Sequence, residues 1–188
     1  MSICAGCNSD HRQRPARRAV VHIAVALAVT ATWIAPASFL AQEKNLASAR
    51  NGAQVIKYTS EQGGARRAEK VIDEHAPPGG WASADGSLPQ EIIVRLPASA
   101  RFNTLVFNLD SGAPESEWAR DVSIYAADPF PTMGGWKLVA DVRLARETTD
   151  QTFSVDQMDG RFIRLLIREA QSSGASRVTL GQFKLFMR

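Results

Sequence analysis

The sequence predicts an all-β fold, a two-sheet antiparallel jelly-roll sandwich, preceded by an N-terminal export segment. Three observations carry that prediction. From Ser38 onward, short apolar alternations of period two recur, each closed by Gly, Pro, Asp or Ser, as half-buried strands require. No heptad, internal repeat or long low-complexity tract interrupts them. The same stretch lacks cysteine, so roughly 150 residues must be held together by one ordinary hydrophobic core, which a chain of that length can supply. Eight or so strands at this spacing fit a sandwich or jelly roll. We assign them to one domain, residues 45–188, joined by a short linker at 38–44 to a leader at 1–37.

The leader is read first, because it must be set aside before any argument about the core. Arg12, Arg14, Arg17 and Arg18 form a basic n-region, and "AVVHIAVALAVTATWIA" follows as an apolar h-region. "APA" at Ala35 to Ala37 supplies the small residues a signal peptidase reads, which predicts cleavage before Ser38. The alternative is an uncleaved anchor, since the apolar run approaches the roughly 18 to 20 residues that span a bilayer. Either way the domain is expected to be exported, to the periplasm or the extracellular space. Cys4 and Cys7 form a CxxC in this n-region, but no second pair exists to complete a zinc site.

The leader also explains the overall charge. Removing its four arginines and one aspartate from the 22 basic and 19 acidic residues leaves 18 of each in the domain. The pI of about 9.1 therefore belongs to the leader. The domain has no electrostatic footprint for nucleic acid or an anionic membrane.

Within the domain, "AQVIKYTS" and "EIIVRLP" give the first strands, with one helical turn between them at "ARRAEKVI", ending before Pro77-Pro78. In "FNTLVFNL", Leu105, Phe107 and Leu109 share one face. "DVSIYAA" alternates Val122, Ile124 and Ala126, and "WKLVADVRL" puts Trp136, Leu138, Ala140 and Val142 in phase, which assigns Trp136 to the core. "QTFSV" is a further strand. "RFIRLLIRE" turns Ile163, Leu165 and Ile167 inward, and "VTLGQFKLFM" places Phe183, Leu185 and Met187 together.

The segment "VIDEHAPPGGWASADG", residues 71–86, is the one place where chemistry-bearing side chains crowd. His75 is the domain's sole histidine, hence its sole candidate for an imidazole base or ligand near neutral pH. Zinc needs more His or Cys than this, and no GxSxG nucleophile elbow occurs. Asp73 and Glu74 are adjacent, so in extended backbone they face opposite ways and do not form an acid–base pair. The residues argue for a binding module rather than an enzyme.

The order of motifs is more specific than any one of them. "NLASARNGAQVI", "AEKVIDE…GGWASADGSLPQEIIVRLP", "FNTLVFNLD", "DVSIYAAD…GGWKLV", "GRFIRLLIREA" and "VTLGQFKLF" together resemble the discoidin, or coagulation-factor C-type, domain of the galactose-binding-like superfamily. The resemblance spans the whole domain. It implies a module that binds sugars, phospholipid headgroups or proteins through loops at the sandwich end away from the termini. It implies that Asp73 opens a tight loop and that Trp81 packs in the core. It also implies a structural Ca²⁺ at this corner, held by backbone carbonyls, Asp73 and the last-strand residue Gln182, where relatives carry Glu; no other cofactor is indicated. An amide oxygen is a weaker partner than a carboxylate for so hard a cation.

By motif order the ligand loops are "SEQGGARR", "ASADGSLP", "DSGAPESEW" and "EAQSSGASR". Membrane-binding relatives carry bulky apolar tips, and these loops offer only Trp118 as a large aromatic, so membrane insertion is disfavoured. A sugar site needs a stacking platform and planar polar groups. Trp118 is the candidate platform, with packing at a strand start as its alternative; Arg66, Arg67, Asp110, Glu117 and Arg177 are the candidate polar partners. Galactose-binding relatives place Arg where this chain has Asp110-Ser111-Gly112, which points to a different glycan. The expected partner is a cell-surface or envelope glycan. The second reading is a protein partner docking on an apolar patch at Phe130 and Met133.

Overall fold

The structure, a computed structural model, describes residues 43–132 and 134–188. The predicted leader and Met133 lie outside the described residues. Among the described residues no helix is long and apolar enough to cross a membrane.

Among the described residues eight strands form the fold: β1 Gln54–Tyr58, β2 Trp81–Ala82, β3 Gln90–Asn108, β4 Ala119–Ala127, β5 Lys137–Arg143, β6 Gln151–Ala170, β7 Thr179–Leu180 and β8 Gln182–Phe186. The architecture follows from the two longest. The first half of β3 pairs with β1, from Gln54↔Arg95 to Tyr58↔Ile92, and with the second half of β6, from Gln90↔Ile167 to Arg95↔Phe162. Its second half pairs with the first half of β6, from Thr104↔Ser154 to Phe107↔Gln151, and with β8, from Thr104↔Phe186 to Asn108↔Gln182. Both strands thus pass from one layer to the other. The register breaks between Arg95 and Ala100, around Pro97, whose missing N–H suits a break in the ladder. One layer reads β1-β3-β6-β4-β5, the other β8-β3-β6, and β2 and β7 form a separate ribbon.

The inward faces meet as the alternations predict. Ile92, Val94, Val122, Ile124, Ile163, Leu165 and Ile167 from the larger layer are fully buried with Leu105, Phe107, Phe183 and Leu185 from the smaller one. The Phe107 and Phe183 rings lie 5.1 Å apart at their centroids. Burying side chains of this size contributes about 1.5–3 kcal/mol each, so the alternation alone selects this sheet-on-sheet arrangement.

Two local expectations are corrected. Opposite Ile124 stands Ala140, but opposite the next residue, Tyr125, stands Leu138, so Val139 is an extra residue. A bulge of that kind reverses which face the strand shows. Val142 stays buried while Leu138 becomes half exposed, and Trp136 lies at the surface edge instead of in the core. At the chain's end, Met187 lies beyond β8 and is exposed, leaving Phe183 and Leu185 to fill the core.

Candidate functional site

The loops of interest gather where β3 ends at Asn108, β6 ends at Ala170, and β4 and β8 begin. The C-terminus lies at the opposite end, where Asn103 Nδ2 donates to the Arg188 carbonyl at 2.6 Å. Two short 3-10 turns, Gly64–Arg66 and Ala68–Val71, lead into the Asp73 corner.

At that corner the polar groups engage one another. Lys70 Nζ lies 2.7 Å from Asp73 Oδ2, and the His75 ring Nδ1 and backbone N–H both meet Asp73 Oδ1. Burial pushes the Asp73 carboxyl up, but the bonds from Lys70 and His75 outweigh it and hold it below the ordinary carboxylate value. His75 Nε2 is buried and has no hydrogen-bond partner. Gly79 covers it so closely that a Cβ there would come 2.5 Å from Nε2, which explains the glycine. The atom that would take a proton from a nucleophile is therefore walled off, although the Asp–His half of a relay is present.

Glu74 adopts φ 54°, a left-handed conformation uncommon for a residue with a side chain. Asn45 Nδ2 at 2.9 Å and Ser48 Oγ at 2.7 Å donate to its carboxylate and hold it there. Trp81 is fully buried and its indole N–H donates to the Ser60 carbonyl at 3.0 Å, as its predicted core role requires.

The Ca²⁺ implied by the family resemblance does not fit these residues. Ca²⁺ takes six to eight oxygens, yet both Asp73 oxygens face the Lys70 ammonium and the His75 ring. Gln182 turns its amide N–H, not its oxygen, to the His75 carbonyl. Among the described residues no three His, Cys, Asp or Glu side chains cluster as metal ligands.

Beside this corner lies a cleft of about 490 Å³, lined by Arg66, Lys70, His75, Pro78, Ser111, Gly112 and their small neighbours. A second, of about 360 Å³, is lined by Gln62, Arg66, Gly112, Pro114, Glu117, Arg177 and Thr179 among others. Both fall within the roughly 300–1,000 Å³ of small-molecule sites. They share Arg66 and Gly112. Arg66 Nη1 donates to the Ser111 carbonyl, and no other partner for its guanidinium occurs among the described residues. Arg177 Nε stands 3.8 Å from Glu117 Oε2, while Ser176 Oγ donates to Glu117 Oε1 at 2.7 Å.

Three predicted site residues, Arg66, Glu117 and Arg177, thus line one cleft. Arg67 and Asp110 line neither; Arg67 is exposed between the two 3-10 turns, and the Asp110 carbonyl accepts the Gly79 N–H. Trp118 is corrected. It is 3 % exposed and its indole N–H donates to the Ala113 carbonyl at 3.1 Å, so it belongs to the core beneath the loops and offers no stacking face. Ser111 and Gly112 join the site from the predicted loop "DSGAPESEW", and Lys70 joins it from a 3-10 turn outside the predicted loops.

A third cleft, about 530 Å³, lies across the corner and is lined by Glu43, Arg50, Glu74, His75, Asp150, Gln182 and Lys184 among others. Lys184 pairs there with Asp150 at 2.7 Å and Arg188 with Glu43 at 2.7 Å, and Glu74 is held by Asn45 and Ser48.

Comparison with known proteins follows from this geometry. No family model matches the chain, and no curated protein matches it. Solved structures do match. The family 32 carbohydrate-binding module of Clostridium perfringens NanJ, solved with galactose, superimposes with a TM-score of 0.61 at 17% identity, covering 77% of this chain and 98% of that one. The chain has the fold of such modules. The family 32 module of Streptococcus pneumoniae EndoD gives 0.61 at 19% identity, covering 77% and 100%. Chitosan-binding module 1 of a Paenibacillus chitosanase/glucanase gives 0.61 at 21%, covering 76% and 98%. The two-sheet antiparallel jelly roll expected from the sequence is the one observed.

Proposed function

We propose that this protein is an exported, non-catalytic carbohydrate-binding module of the discoidin type that holds a glycan on the loops around Arg66. The carrying observation is the pair of joined clefts at one end of a sandwich whose solved neighbours include modules bound to galactose and to chitotriose. Arg66, Arg177, Gln62 and Ser111 supply donors and acceptors of the kind that pair with sugar hydroxyls. The walled-off His75 Nε2 and its missing third partner support binding without catalysis. Export rests on the leader.

A glycan-array screen of the full-length protein and its Arg66→Ala variant tests this reading. The expected result is a saturable hit that the variant loses. A blank array from folded protein would reject it. A second reading, a protein partner, is favoured by Phe130 and Leu138, which are 40% and 50% exposed on the outer face of the larger layer. Retention of an envelope protein by the wild type, lost in Leu138→Asp and kept in Arg66→Ala, would favour it.

A further inference from the structure

The cleft at Arg66 is distinctive for what lines it. Among the described residues no Phe, Tyr or Trp lines either of the two joined clefts. The ring platform on which a neutral sugar stacks its apolar face is therefore missing, since Trp118 lies under the loops with its indole N–H already bonded. Affinity must come from polar groups, and charge-assisted hydrogen bonds are the strong ones.

The polar lining is cationic. Arg66 and Lys70 face the first cleft, with no carboxylate among its lining residues. Arg66 and Arg177 face the second, where Glu117 is the single acid and is already engaged by Ser176 and Arg177. Asp73, behind Lys70, takes one of the ammonium's three donors and leaves the others. Arg66 is fixed at one end by the Ser111 carbonyl, so its remaining donors are held in place rather than free to swing. Such a guanidinium matches the two oxygens of a carboxylate or sulfate group in a bidentate fork. Gly112 carries the turn beside Arg66, because its φ of 69° favours glycine and a Cβ there would stand 3.2 Å from the Pro78 ring.

We infer that the glycan held at Arg66 is anionic, a sugar unit whose carboxylate or sulfate oxygens accept from Arg66 with Lys70 adding long-range attraction. The inference rests on the carbohydrate-binding reading and names its ligand class. A neutral sugar alone would leave Arg66 without an anionic partner, whereas Lys70 keeps Asp73. The 490 Å³ of the first cleft leaves space for a pyranose ring beside the charged pair.

Isothermal titration of the full-length protein tests the inference with two charged probes and their neutral counterparts: an oligogalacturonate against its carboxyl-reduced form, and a sulfated galactan oligosaccharide against its desulfated form. The expected result is that at least one charged probe binds tenfold or more tighter than its neutral partner. Binding should weaken as salt rises, fall tenfold or more in Arg66→Ala, and fall less in Lys70→Ala. Arg168→Ala, at a residue that lines neither cleft, should leave it unchanged. Preference for the oligogalacturonate identifies the carboxylate as the recognised group, and preference for the galactan identifies the sulfate. Equal binding of charged and neutral probes would overturn the inference while leaving the glycan reading intact. No binding of any of the four, with a blank glycan array, would overturn both.

Discussion

The loop end and the outer face of the larger layer treat their arginines differently. On the sheet face several arginines meet a carboxylate: Arg168 with Asp141 at 2.6 Å, Arg143 with Asp121 at 3.3 Å, and Arg120 with Glu169 and Asp121, while Arg95 meets the Gln54 side-chain oxygen. Arg164 Nε lies 2.6 Å from Glu91 Oε2, close enough for an ion pair but out of line for a hydrogen bond, and Glu91 also meets Lys57 at 3.1 Å. Its guanidinium sits 5.3 Å above the Tyr125 ring. At the loop end Arg177 stands by Glu117, but Arg66 meets only a carbonyl. A face whose charges cancel across strands serves the sheet, whereas a cation anchored without a counter-ion is left for something that arrives from solution.

The largest expected effect breaks that comparison from below. Trp118→Ala should cost about 3–5 kcal/mol of stability in urea unfolding, because it empties a core position. Trp118→Phe should fold and keep its glycan binding. A Phe variant that folds normally yet no longer binds would return Trp118 to the ligand surface. Next, Arg66→Ala should weaken glycan binding by about 1.5–3 kcal/mol, as loss of a charge-assisted bond does, with little change in melting temperature. Arg168→Ala should do the reverse: unchanged binding and at most about 1 kcal/mol of stability, the value of an exposed pair. If the two variants behave alike in titration and melting, the distinction between the two regions fails.

A smaller effect sharpens the corner's role. The Asp73 carboxyl is held below its ordinary value, so its contribution to stability is complete above about pH 4 and is lost as pH falls through the depressed native value. Asp73→Asn should flatten that acid limb in a melting-temperature series across pH, and an unchanged limb would place the effect elsewhere. The smallest expected effect concerns calcium: adding Ca²⁺ or a chelator should not shift the melting temperature, since Lys70 and the Gln182 amide occupy the places a cation would need. A rise of several degrees with Ca²⁺ would show that the corner rearranges to bind it.

Much of the fold was legible because period-two burial is a local signal. Val122, Ile124, Ala126, Ile163, Leu165 and Ile167 all point inward as read. What local pattern could not reveal was that the "EIIVRLP" and "FNTLVFNL" runs belong to one strand that changes layers across Pro97, or that the extra Val139 turns Trp136 outward. The site was legible in part. Arg66, Glu117 and Arg177 converge because the loops carrying them sit at the same end of the sandwich. Trp118 was drawn toward the ligand by its loop; it lies just before β4, where the register is irregular and Arg120 faces outward, so period two did not reveal its burial. Lys70 escaped notice because its position depends on a 3-10 turn, where neither period two nor 3.6 applies.

The most direct test of the central claim is an amide chemical-shift titration of the protein with the tightest-binding oligosaccharide from the array. The account predicts that shifts concentrate at Arg66, Lys70, Ser111, Gly112 and Arg177. Shifts confined to Tyr125, Trp136, Leu138 and Phe162 on the sheet face would contradict it.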